Sequence, residues 1–531
     1  MTVVRLLLQA FPARVVTAIM LGVLAGLSGA ALISTIAIGL EGNAGRVVLV
    51  FVCAVVARVV LQLLASVQLL FVANDTVAAL RIRLARSILG APLRKVETIG
   101  GPRLLAALTE DAQVIGNAAS SIVTTAGAVA TIVGALAYLV WLSPAVGTML
   151  GAGLAVAALI YNRFNVAGAR AMQRALGTRR RMFGALSSSV GGLHELKLHR
   201  SRRDAFVRDA VSDSLRVFHG TLIQSFRLFA WAESLNLTVF FVAASIIVFA
   251  WPFVSPSAAT HMPAYVLALL YIPAPFELVL EQLPSLAQAN ATVVDLRELG
   301  LLLDERGEPS AKQIDSGSWA TLELRGVIHA FRSEDGRPFS LGPIDLTFKP
   351  GEVVYVMGGN GSGKTTLIKL LLSLYTPEAG EILVDGRAVA AEDVAGYRER
   401  FAAVLADYRV FEELYGVAST TRDADARALL ERLSLADRVQ VREGAWSTRD
   451  LSEGQRARLA LVAALLRDRS IYVFDEWAAH QDPEFKSVFY ESILPELKAR
   501  GKTVVAVTHD DRFAHLADRI VRLEEGKVLA R

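Results

Sequence analysis

Six apolar stretches, each close to the length that crosses a lipid bilayer, constrain this chain more than any other feature of its sequence. A membrane-spanning helix needs about 20 predominantly apolar residues. One such run is compatible with a buried helix of a soluble protein, but six of them predict a helical membrane domain. The first run is too long for the apolar core of a cleavable signal peptide, so we expect it to remain as a span. The predicted spans are residues 15–39, 47–70, 118–141, 145–164, 230–253 and 264–283.

Charge divides the chain in the same way. The 531 residues are 53% hydrophobic and 20% charged, with a net charge of +4. Residues 318–531 contain 29 Lys/Arg and 33 Asp/Glu, which leaves 26 and 18 for residues 1–317. A basic apolar part followed by a mildly acidic part indicates a membrane domain fused to a soluble one. The single cysteine, Cys53, excludes a disulfide framework and a zinc cluster built on thiolates.

The basic residues of the first part concentrate in two long loops between predicted spans, residues 73–117 and 166–221. The positive-inside rule places both loops in the cytoplasm, together with both termini. Membrane topology and lipid headgroups explain these charges, so no nucleic-acid partner is expected. The apolar spacing within the loops indicates spans that continue as helices into the cytoplasm.

Three acidic residues lie in or near the predicted spans: Glu233, Glu277 and Glu281. A charge at membrane depth is costly and usually faces a partner or a water-filled cavity. The acids are therefore candidates for a substrate pathway that favours cationic or polar cargo. The alternative is that Glu277 and Glu281 are solvated at the cytoplasmic end of the last span.

A polar stretch at residues 301–318 predicts a linker between a membrane domain, residues 1–300, and a soluble domain, residues 319–531. In the soluble part a glycine-rich segment follows a strand-like run and precedes an apolar helical run, and it matches G-x-x-x-x-G-K-[ST]. Its backbone N–H groups would hold phosphate oxygens, Lys364 would add charge at the β- and γ-phosphates, and Thr365 would ligate Mg²⁺. The predicted nucleotide-binding residues here are Gly358, Gly359, Asn360, Gly361, Ser362, Gly363, Lys364, Thr365 and Thr366.

Two acids, Asp475 and Glu476, follow a predicted buried strand at residues 471–474. Parallel sheets present ligand-binding groups at the carboxyl ends of their strands. Asp475 is therefore expected to hold Mg²⁺, and Glu476 to polarise a water for attack on the γ-phosphate.

A third segment opens a predicted helix with a serine and a glycine, which present N–H donors at the positive end of the helix dipole. Alone it is an ordinary helix cap. The segment consists of Leu451, Ser452, Glu453, Gly454 and Gln455.

Together with His509, these segments resemble the ATP-binding-cassette (ABC) transporter family. Six spans ahead of one cassette resemble an ABC exporter half-transporter, over essentially the whole chain. The implied fold is a membrane all-α six-helix exporter domain plus an α/β P-loop ATP-binding cassette. The resemblance implies that Ser452 and Gly454 contact the γ-phosphate of ATP on a partner cassette, and that His509 contacts the γ-phosphate as well. It also implies that Phe331 stacks on adenine and that Asp482 belongs to a loop at the cassette interface.

Residues 474–483 and 508–511 look like the cyclic-peptide exporter branch of that family, which includes exporters of lasso microcins, pyoverdine-type siderophore precursors and syringomycin-like lipopeptides. The glutamine usual after the strand at residues 401–405 is replaced by Ala406 and Asp407, which is similar to the same branch. No peptidase domain precedes the first span, so cleavage of a leader peptide is not expected.

The resemblance implies ATP-driven efflux of a cyclic peptide, siderophore precursor or lipopeptide across the cytoplasmic (inner) membrane, with ATP and Mg²⁺ as cofactors. The glycine-rich phosphate loop, residues 358–366, and the segment at residues 451–455, called the signature in this family, cannot serve the same nucleotide when both belong to one chain. The expected partner is therefore a second copy of the chain, and a heterodimer is the alternative. Membrane lipid and the transported peptide-derived compound complete the expected partners. The alternatives are a lipid or multidrug exporter, and a membrane-bound ATPase that acts as a sensor or regulator without flux.

Overall fold

The computed structural model describes residues 12–39, 44–254, 261–301, 319–332, 338–416 and 420–529. The chain forms two compact units. The first comprises Met1–Arg86 and Pro102–Leu303, and the second comprises Ser87–Gly101 and Asp304–Arg531. A short piece of the first half of the sequence therefore belongs to the second unit. Most of the predicted linker, residues 302–318, lies outside the described residues.

The first unit is helical throughout its described part. Five of its helices are long and apolar enough to cross a membrane, and a shorter apolar segment, Thr238–Ala250, lies within the predicted fifth span. Several helices exceed 40 residues, which is longer than the roughly 20 residues that a bilayer requires. The helices are α1 (Pro12–Ile38), α2 (Ala44–Leu89), α4 (Gly101–Leu142), α5 (Pro144–Gly191), α6 (Leu193–Leu198), α7 (Arg200–Phe206), α8 (Asp213–Ser245), α9 (Met262–Tyr271) and α10 (Pro273–Glu298), with α3 (Leu93–Ile99) in the second unit.

Helices α1 and α4 approach each other closely through small residues. A Cβ atom added at Gly26 would lie 2.3 Å from the carbonyl oxygen of Gly127 and 3.0 Å from the Thr131 backbone nitrogen. The equivalent atom at Gly22 would lie 3.2 Å from the Val123 carbonyl oxygen. Without a hydrophobic driving force between helices in lipid, such close backbone packing is a principal source of helix association.

The second unit is an α/β structure built on a six-stranded, mostly parallel sheet in the order β12-β11-β3-β10-β9-β6. A four-stranded antiparallel sheet, β2-β1-β4-β5, and a small β7-β8 pair accompany it. The strands are β1 (Leu322–Arg332), β2 (Pro338–Phe348), β3 (Val353–Gly358), β4 (Ala379–Val384), β5 (Arg387–Ala388), β6 (Phe401–Val404), β7 (Val441–Arg442), β8 (Ala445–Trp446), β9 (Ile471–Asp475), β10 (Thr503–Val507), β11 (Arg519–Glu524) and β12 (Lys527–Val528).

Helices cover both faces of the six-stranded sheet. They are α11 (Lys364–Leu371), α12 (Val394–Arg398), α13 (Thr420–Arg432), α14 (Glu453–Leu466), α15 (Pro483–Ser487) and α16 (Leu494–Ala499), with short turns at Trp477–His480, Val488–Ile493 and Asp511–Leu516.

Strand β3 shows why the sheet is buried on both faces. Tyr355 packs in one hydrophobic core, whereas its neighbours Val354 and Val356 pack in the other. Because successive strand side chains point to opposite faces, a strand buried on both sides is apolar throughout. The carboxyl ends of β3, β9 and β10 consequently meet at one edge of the sheet, where the predicted site residues lie.

Candidate functional site

The glycine-rich loop leaves β3 and ends where α11 begins, at Lys364. Its backbone leaves no room for side chains at two points. A Cβ atom at Gly358 would lie 2.3 Å from the Leu523 carbonyl oxygen. Gly363 has a φ of 101°, in the left-handed region that favours glycine, and a Cβ there would lie 2.8 Å from Leu341. The loop is therefore a tight turn into the N-terminus of a helix, a geometry suited to binding phosphate.

Lys364 occupies the centre of this loop with only 5% of its surface exposed. Its ammonium donates hydrogen bonds to the carbonyl oxygens of Gly358, at 3.1 Å, and Gly359, at 3.0 Å. The Glu476 carboxylate lies 3.7 Å away. A buried positive charge is thus held at the mouth of the loop, beside an acid.

Asp475 ends β9 and is almost completely buried, with 1% of its surface exposed. Within the described residues neither carboxylate oxygen has a hydrogen-bond partner of normal geometry. Burial raises the pKa of this carboxyl, the neighbouring Thr365 hydroxyl opposes the shift, and the charges of Glu476 and Asp407 add to it. A buried carboxylate without a partner, next to a hydroxyl, fits the oxygen ligands that Mg²⁺ prefers.

Glu476 follows in a left-handed backbone conformation, with φ at 53°. Such a conformation is costly for a residue other than glycine, and it is concentrated at functional sites. One carboxylate oxygen, Oε1, lies 3.1 Å from Nε2 of His509 and is also the atom that faces Lys364. The structure therefore brings Lys364, Asp475, Glu476 and His509 together at the edge formed by β3, β9 and β10.

The segment at residues 451–455 starts α14. The Ser452 hydroxyl accepts a hydrogen bond from the Gln455 backbone N–H at 3.3 Å, and the Gln455 side chain accepts one from the Ser452 N–H at 3.1 Å. This reciprocal pair is a capping box. Within the described part of the chain, the Ser452 hydroxyl bonds to Gln455 alone. The exposed serine and the positive end of α14 are therefore presented outward.

Sequence reasoning missed the contacts that fix this segment. Arg458, on α14, donates to the Gln481 side chain and to the Asp482 carboxylate, each at 3.0 Å. Gln481 in turn donates to the Gly454 carbonyl at 3.0 Å, and the Trp477 indole donates to the Ala457 carbonyl at 2.7 Å. Hydrogen bonds thus join residues 477–482 to the start of α14. No sequence pattern indicated this, because the partners are 20 or more residues apart.

Two predicted site residues cannot be placed by their side chains. Phe331 belongs to β1 and pairs with Phe339 of β2, but its side chain lies outside the described residues. The Glu233 side chain also lies outside them. Glu277 and Glu281 are described and line a cavity in the membrane unit.

Helix α3, part of the second unit, contacts α11, the helix that follows the glycine-rich loop. Glu97 accepts a hydrogen bond from Lys369, in α11, at 2.8 Å and one from the Tyr375 hydroxyl at 2.5 Å. Burial lowers the pKa of Lys369, but the hydrogen bond and charge of Glu97 outweigh it, so the net pKa is raised. Arg94 pairs with Glu378 at 3.1 Å. A segment between two predicted spans is thus tied to the helix that begins with Lys364.

Comparison with known proteins extends these observations. Residues 341–479 match the family model described as "ABC transporter". The chain is 34% identical over 545 residues to the ATP-binding protein SyrD of Pseudomonas syringae pv. syringae, covering 100% of this chain and 96% of that protein. It is 37% identical over 225 residues to a macrolide export ATP-binding/permease protein, MacB, of Paracoccus denitrificans, covering 39% of this chain and 33% of that protein.

The fold is similar to a solved structure described as a bacterial Atm1-family ABC exporter with ATP bound. The TM-score is 0.75 at 17% sequence identity, and the match covers 98% of this chain and 95% of that one. The predicted fold class, a helical membrane domain followed by an α/β P-loop cassette, is confirmed.

Proposed function

Since the chain belongs to the ABC transporter family, as an exporter with its membrane domain and cassette in one polypeptide, we propose that it exports a cyclic peptide, siderophore precursor or lipopeptide. The activity itself is ATP hydrolysis coupled to transport across a membrane. The observation that carries the cargo proposal is the full-length similarity to SyrD, which includes the membrane unit, together with the resemblance of residues 474–483 and 508–511 to the peptide-exporting branch. The similarity to MacB spans only 225 residues and does not favour macrolides in the same way.

In the proposed site the loop from Gly358 to Thr366 cradles the phosphates of ATP, and Phe331 stacks on the adenine. Lys364 exchanges its two carbonyl contacts for phosphate oxygens when nucleotide enters. Thr365 and Asp475 would hold Mg²⁺, which would neutralise charge on the phosphates when bound. The buried carboxylate of Asp475, which has no hydrogen-bond partner within the described residues, fits the role of an oxygen ligand for such an ion.

Glu476 is the proposed general base, because its carboxylate lies beside both the ammonium of Lys364 and the ring of His509. It accepts a proton from the attacking water, and His509 orients the carboxylate and contacts the γ-phosphate. A base within hydrogen-bond reach of an orienting group is the arrangement that general base catalysis requires.

The second half of the site comes, in this proposal, from another copy of the chain. Ser452 and the positive end of α14 are presented outward and bond only locally within the described residues. A partner's γ-phosphate supplies the anion that a helix N-terminus attracts. The complete signature, Leu451, Ser452, Glu453, Gly454 and Gln455, then meets the partner's ATP, and Asp482 lies in the loop between the cassettes.

The chain is a multi-pass membrane protein, with several helices of spanning length. We place it in the cytoplasmic (inner) membrane, with the cassette in the cytoplasm. The basic loops, residues 73–117 and 166–221, support this orientation. Membrane lipids accordingly surround the membrane unit in this proposal.

Flux in proteoliposomes tests the cargo. Purified protein should move a labelled cyclic lipopeptide in an ATP-dependent manner, and the Glu476→Gln variant should not. A fluorescent phospholipid and a macrolide serve as competing cargoes in parallel vesicles. Transport of the lipid or the macrolide with no peptide transport would overturn the proposal. Nucleotide-dependent conformational change with no flux of any compound would favour a sensor instead.

Removing Glu97 should uncouple transport from ATP hydrolysis. In a Glu97→Ala variant the bonds to Lys369 and Tyr375 are lost, so motion of α11 no longer passes to α3. Loss of even one of these two charge-assisted contacts, at about 1.5 kcal/mol, corresponds to roughly tenfold. We expect peptide flux to fall about tenfold, while the ATPase rate stays within about twofold of the parental rate. Paired flux and phosphate-release assays measure both.

The matched control is Lys95→Gln on the same helix, because the Lys95 side chain is exposed and makes no hydrogen bond or ion pair within the described residues. It should retain both activities. If Glu97→Ala transported at the parental rate, α3 would not transmit the motion through this contact.

A further inference from the structure

A cavity in the membrane unit carries charges that neither ATP hydrolysis nor cassette pairing explains. Its volume is about 630 Å³, and residues of α1, α2, α4, α9 and α10 line it. Among the described residues, the charged ones that line it are Arg58, Glu277 and Glu281. One positive and two negative charges give the lining a net charge of −1.

Arg58 is anchored on one side of this cavity. Its guanidinium donates a hydrogen bond to the Ala25 carbonyl of α1. A Cβ atom at Gly29 would lie 2.8 Å from Nη1 of Arg58 and 2.3 Å from the Tyr271 hydroxyl. The guanidinium and the hydroxyl therefore converge on a position that only glycine leaves open. Gln62 follows Arg58 on the same face of α2, four residues later, and also lines the cavity.

Glu277 and Glu281 supply the opposite charge from α10. They are four residues apart, so they share one face of the helix, and both line the cavity. Glu281 is exposed and makes no hydrogen bond or ion pair within the described part of the chain. A carboxylate that lines a cavity of low dielectric constant attracts a cation more strongly than a carboxylate in bulk water does.

The position of these residues along their helices bears on two interpretations of Glu277 and Glu281. Either they face a substrate pathway, or they are solvated at the cytoplasmic end of the last span. At 1.5 Å per residue, Glu277 lies about 22 Å from Met262, where its span begins, and Arg58 lies about 21 Å from Ala44. Both distances fall inside a hydrocarbon core of about 30 Å. Counted along the chain, Arg58 and Glu277 are thus at similar distances from the starts of α2 and α9. Glu281, at about 28 Å, is close to the boundary of the core.

We propose that this cavity is a cargo-binding site that selects amphiphilic peptides carrying an ammonium group. The ammonium lies against Glu277 and Glu281, and the guanidinium of Arg58 receives a carboxylate or carbonyl of the same molecule. The apolar side chains around these groups, among them Leu69 and Leu278, contact the hydrophobic part of the cargo. This inference rests on the proposed export of peptides and narrows it to ammonium-bearing ones.

Two acylated cyclic peptides of identical sequence test the proposal, one with free lysine ammonium groups and one with every lysine acetylated. Binding is measured by fluorescence anisotropy with the full-length protein in phosphatidylcholine nanodiscs. Loss of a charge-assisted hydrogen bond corresponds to roughly ten- to hundredfold in affinity. We expect the ammonium peptide to bind at least about tenfold more tightly than its acetylated form.

The double variant Glu277→Gln with Glu281→Gln keeps the shape of both side chains and should reduce this preference to less than about twofold. Glu298→Gln, an exposed acid on the same helix that does not line the cavity, is the matched control and should keep the full preference.

Equal binding of the two peptides by the parental protein would overturn the proposal, as would an unchanged preference in the double variant. Flux of both peptides in ATP-loaded vesicles distinguishes the two levels of inference. If both are transported equally, peptide export stands and charge selection falls. If neither is transported, the proposed export function falls, and this site with it.

Discussion

Replacing Glu476 with glutamine should leave ATP binding intact and lower the ATPase rate by roughly 10²- to 10⁴-fold, the usual contribution of a general base. The substitution keeps the size of the side chain and its hydrogen bond with His509, which lies 3.1 Å from the carboxylate. It removes the group that takes the proton from water. Binding of a fluorescent ATP analogue and release of phosphate measure the two effects separately.

The same variant should accumulate as a nucleotide-bound dimer, because a ligand held between two cassettes stabilises their association until it is hydrolysed. Size-exclusion chromatography with light scattering in detergent would detect it. Glu491→Gln is the matched control, since the Glu491 side chain is exposed and makes no hydrogen bond or ion pair within the described residues. Hydrolysis by Glu476→Gln at the parental rate would show that the assigned base is wrong.

Replacing Ser452 with arginine should abolish hydrolysis without preventing nucleotide from binding to the same chain. Ser452 is exposed at the start of α14 and does not bond to Lys364 or Glu476 within the described residues. A bulky side chain there would fill the space into which a partner's γ-phosphate must fit. We expect the ATPase rate to fall at least roughly 10²-fold, the scale of a lost transition-state contact, with nucleotide affinity changed less than about threefold.

Loss of the helix cap is the competing explanation, since removing it costs about 0.5–2 kcal/mol. Ser452→Thr keeps a capping hydroxyl and should remain active. The thermal unfolding midpoint of Ser452→Arg shows whether the cassette is still folded.

Mixing two inactive variants tests directly whether each nucleotide site is shared between two chains. Ser452→Arg has an intact phosphate loop, and Lys364→Ala has an intact signature. A mixed dimer therefore contains one complete site, and an equal mixture should recover up to about a quarter of the parental ATPase rate if the dimer has two-fold symmetry. Recovery requires that the sites be shared. No recovery, in a mixture where cross-linking detects mixed dimers, would contradict the head-to-tail arrangement.

The sequence predicted the cassette site well because its chemistry lies in short contiguous segments. The residues from Gly358 to Lys364 form a contiguous pattern that can be recognised in the sequence, and a Cβ has no room at two of its glycines, Gly358 and Gly363. Asp475 and Glu476 could be placed because a buried strand, apolar on both faces, must end where the acids begin. Chain order alone locates such groups at one edge of a parallel sheet.

The remaining features depend on contacts between residues far apart in sequence. Arg458 reaches Gln481 and Asp482 only because α14 and the turn after β9 pack together. Glu97 reaches Lys369 across more than 270 positions, and no periodicity in either segment indicates the partner. Glu277 could be recognised as an unusual acid, but the cavity that it shares with Arg58 required the packing of several helices.

The glycine contact between α1 and α4 limits how the membrane unit can rearrange. With Gly26 lying against the Gly127 carbonyl, neither helix can turn or slide past the other without driving backbone into backbone. This close contact therefore favours movement of the two helices together during a transport cycle. Opening and closing would then occur at other helix contacts, where larger and more adaptable side chains meet. A single methyl group at position 26 would force α1 and α4 apart.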